Sequence, residues 1–447
     1  MTKICAVAVR PGEGTSAVAA GAECIEYRLD LFPAVPQDFS FFSQPVPTIA
    51  TFRGCEEFEL FQAALDAGAS YVDVEGYSPL RDEYPGHTIC SLHDFDRTPP
   101  ADTILEDMAD LAESGLPKCA YSVSSVSDLV SIAEAAAVLR QQGNPFILIG
   151  MGSAGRLTRA RAEHLGSYLT YVSLGTSAAP GEFTLPQTMA MTLHPRVTGI
   201  LGSSDAVRKS RSPQIHGAAF QAAQMPGIYL PFALRDDEVS LVPRLMQGYA
   251  LDGLNVTMPY KQAVIPYLST LSASASRAGS VNTITADLAG DTTDTVGVAA
   301  LVQDIDIAGK SVLVLGAGGA ARAACTELSS RGAVLTIANR TEEKARDLAA
   351  RFGCSSMPLS RLSPDYDVVL VASPVLPVEA SSVLTAKTVA IDMAYPDSPF
   401  LQAAREMGCK TVSGMPMLIA QAAASFAAWF GIEPDTEAMT RAGTDAS

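Results

Sequence analysis

Residues 310–341 constrain the fold more than any other part of the chain. They read as a buried strand over Ser311–Leu315, a glycine-rich turn, a helix that ends near Arg331, and a second apolar strand over Val334–Ala338. A strand, tight turn, helix and parallel strand in this order are typical of one half of a dinucleotide-binding fold. The sequence therefore predicts an α/β nucleotide-binding domain.

The turn carries three glycines, Gly316, Gly318 and Gly319, in positions that suit a pyrophosphate. Gly316 lets the chain turn tightly. The other two have no side chain to keep a phosphate from the free N–H groups at the helix N-terminus. These glycines are therefore candidate cofactor ligands.

The second strand ends in Asn339, Arg340 and Thr341, where a site for NAD has an acidic residue on the ribose hydroxyls. A guanidinium and a hydroxyl suit a 2′-phosphate instead. We therefore expect NADP as the cofactor. The alternative is an ordinary strand-to-helix turn followed by a solvated arginine.

Composition argues against several classes of partner. A formal net charge of −17 disfavours nucleic acid and anionic membrane surfaces, so small molecules are the expected partners. No run of about eighteen apolar residues and no secretion signal are present, so we expect a cytoplasmic protein. Eight cysteines without a C-x-x-C pair predict neither disulfides nor a metal site.

The first half alternates short apolar strands with helical stretches, which predicts a parallel (β/α)8 barrel over residues 1–193. The strand candidates are residues 3–9, 24–29, 48–52, 71–75, 88–92, 118–123, 146–150 and 171–174. Charged residues recur at the ends of these strands, where a barrel of this kind builds its site. They are Glu26, Arg28, Arg53, Asp73, Glu75, His93 and Lys118.

A lysine among arginines and a histidine suits imine chemistry on a ketone. The amine of Lys118 must be neutral to attack a carbonyl, and nearby cations disfavour its protonated form. His93 is the candidate general acid and base, and Glu75 is the candidate group that sets its tautomer.

Seven segments of the first half, in order, are ECIEYRLD, TIATFRG, YVDVEGY, CSLHDFDRTP, GLPKCAYS, GRLTRARAEHLGS and TSAAPGE. In these segments the chain resembles type I 3-dehydroquinate dehydratase. The resemblance implies Lys118 as the Schiff-base lysine, His93 as the proton shuttle and Glu75 as its partner. It also implies substrate ligands at Glu26, Arg28, Arg53, Glu182 and Arg159, of which Arg159 takes the carboxylate.

One segment departs from that family. The chain has Ala178, Ala179, Pro180, Gly181 and Glu182 where the family usually has Ser-Ala-Pro-Gly-Gln. An ionised glutamate can accept a hydrogen bond but cannot donate one.

The second half divides into an α/β unit over residues 194–298 and a nucleotide domain over 299–412. The Ala-rich stretch 419–430, stopped by Gly431, predicts a helix that packs back on the first of these units, within residues 413–435. The polar tail after about Glu437 is expected to fray. Lys261 and Asp294 together suit holding a hydroxyl and passing its proton while hydride moves.

The motifs SxSPxIH, NVTxPxK, SVNTI, TTD, GAGGAxR, NRT and GMPMLIAQA follow in order over residues 197–433. In these motifs the chain resembles shikimate dehydrogenase. The resemblance implies Lys261 and Asp294 as the catalytic pair. Its implied substrate ligands are Ser210, Ser212, Thr257, Asn282, Tyr395 and Gln421, and further cofactor contacts are Ala317, Ala320 and Gly414. Thr295, where the family has glycine, and Ala372-Ser373-Pro374, in place of Ala-Thr-Ser, depart from the pattern.

Both resemblances meet on one compound, because the product of the dehydratase is the substrate of the dehydrogenase. The expected protein is therefore a bifunctional enzyme of the shikimate pathway. Two alternatives stay open: a quinate or shikimate dehydrogenase that acts oxidatively, and a non-enzymatic sensor that keeps both pockets.

Overall fold

The computed structural model describes residues 1–54, 56–175, 181–191, 194–373, 378–395 and 398–444. The chain forms two compact units. The first comprises Met1–Val197 and Pro226–Leu251, and the second comprises Thr198–Met225 and Asp252–Ser447.

The first unit is built on a curled sheet of parallel strands. Its strands are β1 (Lys3–Ala8), β2 (Cys24–Arg28), β3 (Thr48–Thr51), β4 (Tyr71–Glu75), β5 (Thr88–Asp94), β6 (Leu116–Ser122), β7 (Ile147–Met151), β8 (Leu169–Ser173) and β9 (Phe183–Thr184). They are neighbours in the order β7-β6-β5-β4-β3-β2-β1-β8-β9. Near the start of β8, the backbone N–H of Tyr168 donates to the carbonyl of Phe146 at 2.7 Å, beside the start of β7. The predicted barrel class is confirmed.

Helices alternate with these strands. They are α1 (Glu13–Ala19), α2 (Phe58–Asp66), α3 (Ala101–Ala112), α4 (Val126–Gln142), α5 (Gly152–Ala160), α6 (Ala162–Leu165) and α7 (Leu185–Met191). Short 3-10 helices lie at Leu29–Leu31, Ser40–Phe42 and Asp236–Leu241. Ser125 begins α4 with a capping box, in which its hydroxyl accepts from the N–H of Asp128 and the Asp128 carboxylate accepts from the N–H of Ser125. This explains why the longest helix of the unit starts where it does.

Alternate residues of the barrel strands face one apolar cluster, as the two-residue period of a strand requires. Its members are Cys5, Val7, Cys24, Ile49, Ile89, Ala120, Ile147, Ile149, Met151, Leu169 and Tyr171. The same alternation continues into polar positions on the middle strands, namely Glu26, Thr51, Asp73, Ser91 and Lys118. The fold therefore sets a polar layer directly against an apolar interior.

The second unit contains two groups of strands. The first group is β10 (Arg196–Gly202), β12 (Gly253–Val256), β13 (Thr270–Leu271), β14 (Thr283–Thr285) and β15 (Ala289–Asp291), while β11 (Gly227–Ala233) and α10 (Val242–Gly248) belong to the first unit. The second group is β16 (Ser311–Leu315), β17 (Val334–Ala338), β18 (Ser355–Ser356), β19 (Val368–Val371), β20 (Val389–Asp392) and β21 (Lys410–Val412).

The strands of the second group form one parallel sheet in the order β18-β17-β16-β19-β20-β21. From the central strand β16 the chain adds β17 and β18 on one side of the sheet. It then crosses over and adds β19, β20 and β21 on the other side. A ligand crevice forms at the carboxyl end of such a switch point. Gly316 directly follows β16, so the predicted cofactor turn lies at that point.

The helices of the second unit are α8 (Ser204–Arg208), α9 (Ser212–Ala222), α11 (Ala273–Ala278), α12 (Asp294–Leu301), α13 (Gly319–Ser330), α14 (Glu342–Phe352), α15 (Pro399–Glu406), α16 (Met415–Phe430) and α17 (Thr436–Thr444). Its 3-10 helices are Ile265–Tyr267, Leu359–Arg361 and Val378–Ser381. None of the helices in the described ranges is both long and apolar enough to cross a membrane.

Two terminal helices complete the second unit. Helix α16 ends at Gly431, which has φ 70°, and packs against α12 and α9. The expectation of a frayed tail is wrong. Helix α17 packs on α9, and its Met439 is fully buried because the helix presents an apolar face there.

Two candidate active sites

The first candidate site gathers polar side chains from neighbouring strands of the barrel. The strand register places Glu75, Ser91 and Lys118 side by side on β4, β5 and β6. Lys118 is 4% exposed. Its Nζ lies 2.6 Å from Asp73 Oδ2, 3.7 Å from Glu26 Oε1 and 4.3 Å from the centre of the Tyr171 ring. The carboxylates and the ring face all stabilise positive charge at this nitrogen.

Arg53, an arginine that we expected beside Lys118, contacts two carboxylates instead, and one of them is the Lys118 partner Asp73. Arg53 Nη1 lies 3.0 Å from Asp73 Oδ1 and 2.7 Å from Glu75 Oε1. The Ser91 hydroxyl donates to Asp73 Oδ1 at 2.6 Å. Burial opposes ionisation of Asp73, but Arg53 and Lys118 outweigh it and hold the pKa of this carboxyl well below its usual value.

His93 lies between a carboxylate and a guanidinium. Its Nδ1 is 3.1 Å from Glu75 Oε1, and its Nε2 is 3.3 Å from Arg53 Nη2. Because a guanidinium can only donate, Nε2 accepts and Nδ1 carries the proton that faces Glu75. Burial lowers the pKa of His93, so the ring is neutral at pH 7. A neutral imidazole in this setting can take up and return a proton.

Two predicted anion ligands differ in their surroundings. Arg28 is held by Asp30, through bonds of 2.9 and 2.7 Å. Arg159 is buried, its Nη1 donates to the Tyr171 carbonyl at 3.2 Å, and its Nε has no hydrogen-bond partner in the described part of the chain. Burial lowers the pKa of Arg159, and Glu182 opposes that effect. An incompletely bonded, buried guanidinium is suited to an incoming carboxylate.

Sequence reasoning missed three members of this network. Asp73 was named among the charged residues of the strands but was given no role. Ser91 and Tyr171 carried no signal, because a serine and a tyrosine inside strands are ordinary barrel residues. The departures at Ala178, Ala179 and Pro180 lie outside the described residues.

The second candidate site centres on an ion pair in the second unit. Lys261 Nζ lies 2.5 Å from Asp294 Oδ2, and Asp294 Oδ1 accepts from Asn282 Nδ2 at 3.0 Å. Asp294 is buried at the start of α12. Asn282 Nδ2 also lies 3.3 Å from Gln421 Oε1, so α16 reaches the same network. The structure thus brings together four residues that the sequence assigned to this site.

A buried set of hydroxyls and amides supports that network. Asn282 Oδ1 accepts from the backbone N–H of Thr293 at 2.7 Å. Ser425 Oγ lies 2.9 Å from Asn255 Nδ2, 2.8 Å from Thr283 Oγ1 and 3.0 Å from Thr293 Oγ1. These supporting residues were not predicted. One signal was available: Ser425 stands four residues after Gln421 in an otherwise apolar helix, and that spacing puts both on one face.

The remaining predicted substrate ligands lie on other segments of the same unit. The N–H of Ser212 donates to Ser210 Oγ at 3.1 Å, at the start of α9. A Cβ on Gly202 would stand 2.4 Å from Thr257 Cγ2, so Thr257 is packed closely against β10. Tyr395 is half-buried. Pro374, part of the second departure, lies outside the described residues.

The glycines of the nucleotide turn differ in what surrounds them. Gly316 has φ 134°, which favours glycine, and a Cβ there would stand 2.8 Å from the Ala372 carbonyl oxygen. A Cβ on Gly318 would meet nothing within 4 Å, so open space for a phosphate lies beside it. A Cβ on Gly319 would stand 2.8 Å from Lys261 Cδ and 2.9 Å from Ser280 Oγ. The cofactor turn therefore adjoins the candidate catalytic lysine.

The residues after β17 are open to a charged ligand. Arg340 and Thr341 are exposed. Asn339 Nδ2 donates to the carbonyl of Thr341 at 3.0 Å, which holds the segment in a turn. Gly414 is constrained differently, since a Cβ there would stand 2.2 Å from the Met393 carbonyl oxygen.

Models of known families match successive parts of the chain. The type I 3-dehydroquinase model matches residues 13–194. The shikimate dehydrogenase substrate binding domain matches 203–284, the shikimate / quinate 5-dehydrogenase model matches 298–399, and the shikimate 5′-dehydrogenase C-terminal domain matches 414–442. A shikimate dehydrogenase (NADP(+)) of Archaeoglobus fulgidus is 36% identical over 262 residues, which are 55% of this chain and 96% of that protein.

The chain belongs to the shikimate dehydrogenase family. It joins that family's domains to a type I 3-dehydroquinase domain. The bifunctional 3-dehydroquinate dehydratase/shikimate dehydrogenase of Arabidopsis thaliana, described as chloroplastic, is 27% identical over 484 residues, 93% of this chain and 79% of that protein. A shikimate 5-dehydrogenase from Thermus thermophilus, solved with NADP(H) and shikimate, is 30% identical, with a TM-score of 0.50 over 56% of this chain and all of that one.

Proposed function

We propose that this chain dehydrates 3-dehydroquinate to 3-dehydroshikimate in its first unit and reduces 3-dehydroshikimate to shikimate with NADPH in its second. One observation carries the proposal: each unit holds a lysine in a buried polar network, Lys118 with Asp73 and Lys261 with Asp294. The families that match the chain are named for 3-dehydroquinate and shikimate, which are the starting compound and the end product of the proposed sequence, and this supports the same assignment.

In the dehydration, Lys118 attacks the ketone of the substrate and forms an imine with loss of water. Neutral His93 then removes a proton beside the imine carbon, with Glu75 holding its ring. The imidazolium returns that proton to the departing hydroxyl, and one water hydrolyses the product imine, which releases 3-dehydroshikimate and frees Lys118. Arg159 binds the carboxylate, and the remaining ligands of the substrate are Glu26, Arg28, Arg53 and Glu182.

In the reduction, Lys261 and Asp294 hold the substrate oxygen and supply the proton that converts a carbonyl to a hydroxyl. NADPH, when bound, supplies the hydride. Asn282 and Gln421 orient the ring hydroxyls, because both belong to the Asp294 network. The other ligands of the substrate in this proposal are Ser210, Ser212, Thr257 and Tyr395.

The described residues fit NADP. Gly318 leaves open space for the pyrophosphate at the start of α13, and Gly316 permits the turn before it. Arg340 is exposed beside Thr341, where it can hold a 2′-phosphate. Asn339, Ala317, Ala320, Gly319 and Gly414 complete the proposed cofactor site. A cytoplasmic location is part of the proposal on the sequence grounds given above.

The test of the dehydration is chemical trapping. Borohydride added with dehydroquinate should reduce the imine and add the mass of the dehydrated ligand to the peptide that bears Lys118. Lys118→Ala should abolish the adduct and the dehydration and leave reduction of added dehydroshikimate unchanged. An adduct that persists in Lys118→Ala would reject the assignment.

The test of the whole proposal is a coupled assay. The purified chain, given dehydroquinate and NADPH, should produce shikimate and consume one NADPH for each molecule formed. Quinate and shikimate offered with NADP and with NAD test the oxidative alternative. Faster turnover of quinate than of dehydroshikimate would favour that alternative over the proposed reduction.

A further inference from the structure

Asp73 is the one carboxylate of the first site for which the proposed dehydration assigns no task. Its side chain is fully buried. Three donors of the chain already occupy it: Lys118 at 2.6 Å, the Ser91 hydroxyl at 2.6 Å and Arg53 at 3.0 Å. A carboxylate in this position acts on the substrate only through the nitrogen of Lys118.

The charge at that nitrogen follows from the chemistry of the imine. An ammonium and a ketone give a protonated imine and one water, so the nitrogen is positive before and after the carbon–nitrogen bond forms. Removal of the proton beside the imine carbon sends the electron pair to nitrogen and gives a neutral enamine. Expulsion of the hydroxyl as water returns the nitrogen to its cationic form. The nitrogen is therefore positive in the resting lysine and in both imines, and it is neutral only in the attacking amine, the carbinolamine and the enamine.

The surroundings of Lys118 suit a persistent cation. Glu26 lies 3.7 Å from Nζ, and the face of Tyr171 lies at 4.3 Å. Asp73 makes the shortest of these contacts and is itself fixed by two further donors. Buried from water, a carboxylate at this distance interacts strongly with the charge it faces.

Resting on the proposed dehydration, we infer that Asp73 is the counter-ion of the cationic imine at Lys118, and that Ser91 and Arg53 position it for that task. Asp73 is a positioning residue in this scheme, since it touches neither the substrate nor a reacting carbon. It keeps the nitrogen in one place and stabilises the electron-accepting form of the imine.

The experiment compares Asp73→Asn with the unmodified chain. The amide keeps the shape of the side chain and removes its charge. We expect kcat for dehydration to fall on the order of 100-fold, because removing one partner of a buried charge pair leaves the other uncompensated. The fraction of chain trapped by borohydride at saturating dehydroquinate should fall in parallel, while KM changes by less than about threefold.

Asp107→Asn is the matched control. Asp107 accepts a hydrogen bond of 2.6 Å from the Tyr121 hydroxyl in the same barrel and is not part of the site. The same substitution there should leave trapping and dehydration as in the unmodified chain. Reduction of dehydroshikimate by the second unit should be unchanged in both variants.

Ser91→Ala keeps the charge of Asp73 and removes one group that positions it. A fall of about tenfold in kcat, with little change in KM, supports the inference even if Asp73→Asn does not fold. If folded Asp73→Asn or Ser91→Ala dehydrates and is trapped about as well as the unmodified chain, the inference about Asp73 is overturned. Absence of trapping in the unmodified chain overturns the proposed dehydration itself, which separates the two failures.

Discussion

Replacing Gly319 by alanine should slow the reduction without weakening the cofactor site to the same degree. The new Cβ would stand 2.8 Å from Lys261 Cδ and 3.2 Å from Lys261 Cβ. Carbon atoms in ordinary contact are about 3.5–4.0 Å apart. The lysine must therefore move by roughly 1 Å, which is enough to lengthen its 2.5 Å contact with Asp294.

The size of the effect follows from that displacement. A misplacement of about 1 Å costs about 100-fold in rate when it affects a group at the reacting atoms. The lysine side chain is flexible and can recover part of this, so we expect kcat for reduction to fall by about 10-fold to 100-fold. The free energy of unfolding should fall by up to about 2 kcal/mol, because overpacking costs about 1–3 kcal/mol and helix propensity offsets about 1 kcal/mol of that cost.

The assay follows NADPH absorbance during reduction of dehydroshikimate, with dehydration by the same chain as the internal reference. Gly318→Ala is the matched comparison, because a Cβ there meets nothing within 4 Å and leaves Lys261 in place. It should instead raise KM for NADPH by intruding on the pyrophosphate. Changes in KM for NADPH alone in both variants would show that Gly319→Ala does not displace Lys261.

The remaining predictions concern single side chains of the second unit. Arg340→Asp should shift the ratio of kcat/KM for NADPH over NADH by about 10-fold or more toward NADH, and an unchanged ratio would show that Arg340 does not bind the phosphate. Lys261→Ala should lower kcat for reduction by about 100-fold to 10,000-fold and leave dehydration intact; joint loss would mean that the two activities are coupled. Burial lowers the pKa of His216 to about 3, so below about pH 6.5 the unfolded chain binds a proton that the folded chain does not. His216 should therefore lower the free energy of unfolding by about 4 kcal/mol between pH 6.5 and 3, and His216→Phe should remove that share of the acid dependence. The single tryptophan, Trp429, has its ring 5.3 Å from His216 and reports this unfolding by fluorescence in urea; equal acid sensitivity in both proteins would refute the assignment.

Much of the first site could be predicted because parallel strands present their carboxyl ends at one edge. Glu75 and His93 stand at the carboxyl ends of their predicted strands, so this rule places them together. Lys118 opens its predicted strand and was assigned by its imine chemistry and the family resemblance, and the structure brings it to Glu26 and Asp73 in the same network. Which carboxylate meets the lysine could not be predicted. Asp73 and Glu75 share a face of β4, and the strand register sets Glu75 level with Lys118. The long side chain of Lys118 reaches Asp73 instead, with Nζ 2.6 Å from Oδ2, and this choice is visible only in three dimensions.

The charge environment of Lys118 was the main point that sequence reasoning misjudged. Arginines on strands next to a lysine place positive charge beside its amine only when no carboxylate lies between the two side chains. Arg53 instead bonds Asp73 and Glu75, and these acids screen it from Lys118. Long charged side chains pair with the nearest opposite charges in space, and strand order alone does not give those distances.

In the second unit, motif spacing predicted the Lys261–Asp294 pair and the nucleotide turn. Linear order did not show that Pro226–Leu251 groups with the first unit, because that grouping depends on contacts between distant segments. The apolar face of α17 was also overlooked. A nine-residue polar-looking segment acquires a fixed structure when one of its faces is buried on a neighbouring helix.

The bond between Asn282 and Gln421 has a consequence for synthesis of the chain. Helix α16, which supplies Gln421 and Ser425, follows Lys261 by about 150 residues. A nascent polypeptide that still holds this helix inside the ribosome has its reductase ion pair but lacks the side chains that brace it. Reductase activity therefore awaits emergence of α16, whereas the strands of the barrel have all been made long before.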